Sequence, residues 1–349
     1  TPKGPYVPQF VAPDADILVV DDNPMNLNVI KGLLKATRVF VTTSTSGEDA
    51  IDKIKDSAFN VVLMDHMMPG MDGIEAVARI REFDKDLPVY ALTANSTAGE
   101  EFYKSKGFNG YLSKPIDSET LEKTILKHLP EEMVSKPQKD DIEEEITEIP
   151  EDMNWIYDIS DISVEEGIKN SGGVAAFIFS LNLFLDTIDG NAKVIRDAYD
   201  EGNVRLYTIK VHALKSSARI IGASKLSKMA EELEDAGNRR DIDFINENSS
   251  YLMEDYESFK DKLAMLKHDD DDDANKEMIS DEELDDAYKA LKDNIPQMDY
   301  DAVEMIIEQL LEFSLPKKDK ENITRFSEML KAFDWDGMEE LINSIVKGE

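Results

Sequence analysis

The 349-residue chain has no cysteine, so it carries no disulfide framework and no thiolate metal site, and a reducing cytosol is its natural compartment. Positive charge is scarce. With 39 Lys+Arg against 74 Asp+Glu, the formal net charge is −35. A nucleic-acid backbone would be repelled, and no nucleic-acid partner is expected; divalent cations and basic protein surfaces suit this balance better. No apolar run approaches the length of a membrane span, so this segment is expected to make no membrane contact, and no signal-peptide pattern opens it. No Gly-rich loop cradles a nucleotide, which argues against autonomous ATP-dependent kinase activity. Proline is concentrated at the start, at Pro2, Pro5, Pro8 and Pro13, so residues 1–15 read as a linker and the chain as a fragment of something larger. What is present is 41% hydrophobic residues, enough for the cores of two or three domains.

The most informative stretch is Val61–Gly73. Val61, Val62, Leu63 and Met64 form a short apolar strand, and Asp65 stands where it runs out. A carboxylate in that place is costly unless a cation or a reaction needs it. Pro69-Gly70 is turn chemistry, and Ile74, Val77 and Ile80 at helical spacing follow. Asp65 therefore belongs to a strand-to-helix loop at the carboxyl edge of a sheet, where open α/β folds place their ligands.

From residue 16 to 130, strand and helix alternate five times, with near-continuously apolar strands. That order predicts a parallel sheet covered on both faces. Asp21, Asp22, Asp65, Thr93 and Lys114 all fall at the carboxyl ends of strands, which converge on one crevice. Three carboxylates brought together call for a hard cation, and oxygen ligands suit Mg²⁺. In such a crevice Asp65 can attack phosphorus, while Thr93 and Lys114 hold phosphoryl oxygens. The arrangement resembles the flavodoxin-like (βα)5 receiver domain of two-component signalling over residues 16–130. The resemblance implies that Asp65 is the phosphoacceptor and that Asp21, Asp22, Asp65 and the Met67 backbone carbonyl are Mg²⁺ ligands. It also implies a cis peptide before Pro115 and makes Tyr111 the aromatic switch. Tyr90 departs mildly from the family, and His66, beside Asp65, is expected to serve structure or partner contact. His128, in the last turn of a helix, is placed to favour positive charge.

Residues 131–160 are acidic and read as a linker. Residues 161–267 show only helical periodicity. Tyr207, Val211, Leu214, Ala218 and Ile221 make a core stripe, and His212, Lys215, Ser216 and Arg219 share the adjacent face. An imidazole in this cationic island is held neutral and nucleophilic by its neighbours. The run H-A-L-K-S-S-A-R-I-I-G-A resembles the histidine-containing phosphotransfer (HPt) domain, a four-helix bundle. It implies that His212 is a phosphoacceptor supported by Lys215 and Ser216, with Gly222 at a close packing point.

The run Asp269–Asp273 marks a further linker over residues 268–278, in which a metal role for His268 is the weaker reading. Residues 279–347 form a small C-terminal helical unit with a Ser280–Glu283 capping box, placed to pack on the second domain or adjust access to it. The whole resembles the C-terminal part of a hybrid sensor histidine kinase, the cytoplasmic portion of a membrane-anchored sensor. The expected partners are an upstream histidine kinase domain, in cis or in trans, and a downstream receiver. The rival expectation is a phosphorylation-controlled docking module with no transfer through His212. An aspartate-nucleophile phosphatase is disfavoured because Met67 stands where a general acid would be. The relay expectation counts as lost if the carboxylate is walled off from solvent, or if the imidazole is buried with both nitrogens engaged.

Overall fold

The computed structural model describes residues 6–94, 96–138, 148–267 and 276–346, and it divides into two units, Thr1–Ala264 and Met265–Glu349. The first unit opens with β1 (Asp16–Val20), α1 (Pro24–Leu34), β2 (Phe40–Ser44), α2 (Gly47–Asp56) and β3 (Val61–Asp65). It continues through α3 (Gly73–Phe83), β4 (Val89–Thr93), α4 (Gly99–Ser105), β5 (Gly110–Ser113) and α5 (Ser118–Leu126). All strand pairs are parallel, in the order β2-β1-β3-β4-β5. One face buries Leu18, Val20, Val62, Met64, Val89 and Ala91 against Val77 and Ile80 of α3. This is the expected flavodoxin-like sheet.

Helices α1, α2 and α3 start on side-chain caps. Asn23 accepts from the Met25 amide ahead of Pro24, Ser46 caps α2, and Asp72 caps α3. Gly73 sits so close to β3 that a Cβ there would lie 2.2 Å from the Asp65 carbonyl oxygen. Only glycine lets α3 start this near the acidic strand end.

The linkers differ from expectation. Phe10, Val11 and Ala12 are buried, Val11 pairs with Ser135, and the Ala12 amide donates to Thr37. The described part of residues 1–15 is therefore part of the first domain, because an apolar trio between the prolines finds the sheet's helices to pack on. Ser135 is drawn in with it, and Ile149 and Ile156 are buried around a 3-10 stretch, Glu151–Asp158, within the segment expected to be solvated.

The helices that follow are α6 (Val164–Ser171), α7 (Val174–Asp200), α8 (Val204–Ile220), α9 (Ser224–Arg239) and α10 (Ile242–Lys262). Helices α7 to α10 form the four-helix bundle, and α6 packs on α7 and α8. Tyr207, Val211, Leu214, Ala218 and Ile221 are buried as the periodicity requires. The α8–α9 turn rests on Gly222, with φ +76°; a Cβ there would meet the Ser163 carbonyl at 2.2 Å, and Gly222 accepts from the Ser163 amide. Gly222→Ala should therefore lower stability by more than the roughly 1–2 kcal/mol of left-handed strain alone. Urea denaturation is the check.

The second unit holds α11 (Asp281–Asn294), α12 (Tyr300–Leu311), α13 (Lys317–Lys331) and α14 (Trp335–Ile345). The Ser280–Glu283 capping box is present, and Asp299 caps α12. Met278, expected in a linker, bridges to Ser314 inside this unit. The run Asp269–Asp273, with His268, lies outside the described residues. Among the described residues no single helix is long and apolar enough to cross a membrane.

Candidate functional site

The ends of β1, β3 and β5 deliver their side chains to one place. Carboxylate oxygens of Asp21, Asp22 and Asp65 lie within 4.8 Å of one another. The Lys114 ammonium bridges two of them, 2.8 Å from Asp21 and 2.7 Å from Asp65. Asn26 donates to both oxygens of Asp21, at 3.0 and 2.9 Å. Burial, then the neighbouring Asp21, push Asp65 well up from the usual carboxylate range, and the same two causes raise Asp22. Burial alone would lower Lys114, but Asp21 and Asp65 together hold it raised. The cluster thus carries more negative charge than one ammonium can offset. Its donor set of hard oxygens fits Mg²⁺. Met67 follows in the loop after β3, and its carbonyl accepts no hydrogen bond among those described. The Lys114–Pro115 peptide is cis.

On α8 the imidazole of His212 is held from one side. Its Nδ1 lies 2.7 Å from Glu234 of α9, whose other oxygen pairs with Lys215 at 2.5 Å. Burial raises Glu234, but its hydrogen bonds to His212 and Lys215 outweigh this and leave it lowered. The expected island of cations is therefore crossed by a carboxylate. Glu234 accepts a hydrogen bond from Nδ1–H and so orients the ring, and Nε2 has no described partner. Sequence reasoning missed Glu234. The signal was there, since a tight turn at Gly222-Ala223 sets residues about ten before it against residues about twelve after it.

The two halves meet within the first unit. Lys210 reaches Asp22 at 3.1 Å, the Asn23 amide donates to Ser217 at 2.9 Å and to the Ala213 carbonyl at 3.3 Å, and Ser216 donates to Asn26 at 3.0 Å. Helix α8 thus lies on the rim of the acidic crevice, with Lys210, Ala213, Ser216 and Ser217 turned toward it. Asp65 is 3% exposed and His212 7% exposed. The expectation of a carboxylate open to solvent fails; the rim that would admit solvent is occupied by the chain's own α8. The expectation of one unengaged imidazole nitrogen holds.

Thr93 is buried at the end of β4, and its side chain hydrogen-bonds the Tyr103 hydroxyl of α4. The Tyr103 hydroxyl also lies 3.2 Å from His66 Nδ1. Tyr111 is half-buried, its ring 5.3 Å from that of Tyr103. The aromatic beside Thr93 is therefore Tyr103, which the sequence reading did not single out. Ser216 is engaged with Asn26, and Arg219 is lowered by burial. Tyr90, unexplained in the sequence, bonds His128 at 2.8 Å. Burial and then Lys127 lower His128, against the expectation that the helix end favours its positive charge.

Comparison with known proteins identifies the two domains that carry these residues. The family model for the response regulator receiver domain matches residues 17–126, and that for the Hpt domain matches residues 180–311. The sensor protein GacS of Pseudomonas syringae pv. syringae is 29% identical over 229 residues, 62% of this chain and 24% of the relative. The signal transduction histidine-protein kinase BarA of Escherichia coli (strain K12) is 38% identical over 117 residues, 33% of this chain and 13% of the relative. The chain thus spans a quarter or less of these relatives' length. Among solved structures, the receiver domain of the sensor histidine kinase PA1611 of Pseudomonas aeruginosa, with magnesium in its active site cleft, is 32% identical. That match covers 33% of this chain and 96% of that one, with a TM-score of 0.31.

Proposed function

We propose that this chain, in which a receiver domain is followed by an Hpt domain, is a phosphorelay segment with Asp65 and His212 as its two phosphoryl carriers. The observation that carries the reading is the seating of α8 on the acidic rim in the same chain, held by Lys210, Ser216 and Ser217.

An upstream phosphohistidine, on a kinase domain in cis or in trans, gives its phosphoryl group to an Asp65 carboxylate oxygen. The P–N bond breaks as the P–O bond forms, leaving an acyl phosphate. Mg²⁺, when bound by Asp21, Asp22, Asp65 and the Met67 carbonyl, supplies positive charge opposite the phosphoryl oxygens. Lys114 and the Thr93 hydroxyl stabilise the remaining oxygens, which requires Thr93 to exchange its bond to Tyr103 for one to the phosphoryl group. Tyr111 is then the switch side chain that follows that movement.

Next, the Nε2 lone pair of His212 attacks phosphorus, the P–O bond to Asp65 breaks, and the electron pair returns to the carboxylate. The Nδ1 proton stays on the ring in its hydrogen bond to Glu234, whose carboxylate offsets positive charge developing on the imidazole; Lys215 holds Glu234 in place. A downstream receiver then takes the group from His212. Both carriers are energy-rich, so no nucleotide is needed.

The test loads the full chain with a radiolabelled small phosphodonor in the presence of Mg²⁺. Acid-labile label should appear on Asp65 and then on His212. In Asp65→Asn neither carrier should be labelled, and in His212→Gln the label should stay on Asp65. Mixing those two variants decides whether chains exchange label. Label that remains on Asp65 in the unaltered chain favours a docking module instead.

A further inference from the structure

Among the charged groups of α8 that take no part in the transfer steps above, Lys210 is the one that reaches the acidic pair. Lys210 lies two residues before His212 and places its ammonium 3.1 Å from Asp22, a member of the acidic pair, while its side chain remains about a quarter exposed. Nothing in the helix's own packing requires it there. The core stripe lies on Tyr207, Val211 and Leu214, and Lys210 falls outside it. The contact crosses from one domain to the other, alongside Asn23–Ser217 and Asn26–Ser216.

Formal charge shows what a second ammonium does. Asp21, Asp22 and Asp65 carry three negative charges, and Lys114 offsets one. With a divalent cation also bound, the crevice is neutral without Lys210 and positive with it. Phosphorylation turns the single negative charge of Asp65 into a group of charge close to minus two. The loaded crevice then has an excess negative charge, and Lys210 cancels it. Burial makes the mismatch matter, because charges in a poorly hydrated interface are weakly screened. The metal and Lys210 also draw on the same Asp22 carboxylate while Asp65 is unmodified, so each weakens the hold of the other.

We propose that Lys210 is a positioning residue for transfer between the two carriers, one that seats α8 preferentially on the phosphorylated, metal-loaded crevice. It touches Asp22 rather than the reacting atoms. The device makes docking of the Hpt helix follow loading of Asp65. It also selects a receiver with an acidic residue at the position of Asp22. The inference rests on the relay reading given above.

The experiment uses the full chain and two readouts. The first is the rate at which label already on Asp65 passes to His212, after loading with labelled acetyl phosphate in Mg²⁺. The second is Mg²⁺ affinity of the unphosphorylated chain by calorimetry, with no phosphodonor present. Lys210→Ala is expected to slow the passage of label about 10- to 100-fold, which is roughly 1.4–2.7 kcal/mol at tenfold per 1.4 kcal/mol. The same variant should bind Mg²⁺ several-fold more tightly, because a competing cation has gone. Lys210→Arg should restore most of the rate. A residue that merely holds the interface together would not strengthen metal binding when removed. An unchanged passage rate or an unchanged Mg²⁺ affinity in Lys210→Ala overturns the assignment. If the unaltered chain never labels His212, it is the relay reading itself that falls.

Discussion

Replacing Glu234 with alanine is expected to lower stability by about 3–5 kcal/mol and to slow phosphoryl passage to His212 by about 10- to 100-fold. The stability loss follows from what remains behind. Lys215 and His212 are both buried against Glu234, at 2.5 and 2.7 Å, and the variant would leave a buried ammonium with its partner gone. The rate loss has a separate cause, since a ring no longer held through Nδ1 loses its fixed orientation and tautomer, and removing such a partner has an effect of that size at other imidazoles. Glu234→Gln separates the two. Its amide oxygen still accepts from Nδ1, so orientation survives, but the negative charge facing Lys215 does not. The glutamine variant should therefore keep more of the transfer rate than of the stability. The acid dependence has a definite sign. The folded state holds Glu234 below its ordinary value, so this group stabilises the fold above the unfolded carboxyl pKa of about 4.3. Its contribution is lost as pH falls through the lower folded value. The gap between wild type and Glu234→Ala should narrow over that acid range, as read by urea midpoints.

How much of this was legible in the sequence depends on range. Asp21, Asp65, Thr93 and Lys114 could be placed together because each ends an apolar strand, and a parallel sheet leaves no other arrangement for strand ends. His212 and Lys215 share a face by helical spacing alone. Glu234 needed the antiparallel geometry of α8 and α9, which the Gly222 turn encodes but which periodicity within one helix does not express. Lys210 and Asp22 are 188 residues apart, and no local rule brings them together. The same holds for Tyr90 with His128, where a strand tyrosine acquires meaning only once α5 returns to the sheet. Tyr103 was masked by its helix: α4 is short, and one buried aromatic looks like core until its hydroxyl meets Thr93 and His66. Composition misled at the ends. Prolines and acidic residues signal linker on average, yet Phe10, Val11, Ile149 and Ile156 are each apolar enough to bind the segment down.

Asp65→Asn is expected to abolish labelling of both carriers while making the folded chain more stable, by about 0.5–2 kcal/mol, the usual scale for relieving a strained functional site. The first effect follows from chemistry: an amide oxygen does not form the acyl phosphate, and in the proposed relay His212 receives its group through Asp65. The second follows from the site's electrostatics. Asp65 is buried beside Asp21, and both causes disfavour its charged form. Lys114 offsets part of that cost, but in the variant it keeps Asp21 as its partner at 2.8 Å, so no ammonium is stranded. Asparagine nearly matches aspartate in volume, and no cavity opens. The pH dependence distinguishes this account from a packing effect. A carboxyl raised in the folded state favours folding below its unfolded pKa of about 3.9, and that advantage disappears as pH rises through the folded value. The stability gained by Asp65→Asn should therefore be largest above the folded value and shrink as pH falls from there toward the unfolded one. Added Mg²⁺ should reverse the order at neutral pH, because a cation bound to three carboxylates stabilises the wild type by mass action and finds one ligand fewer in the variant. Thermal melts of the two proteins with and without Mg²⁺, at neutral and acidic pH, read all three signs. An Asp65→Asn chain less stable than wild type in the absence of metal would mean that Lys114 already compensates the crevice, and that the acidic cluster stores no repulsion for a cation or a phosphoryl group to relieve.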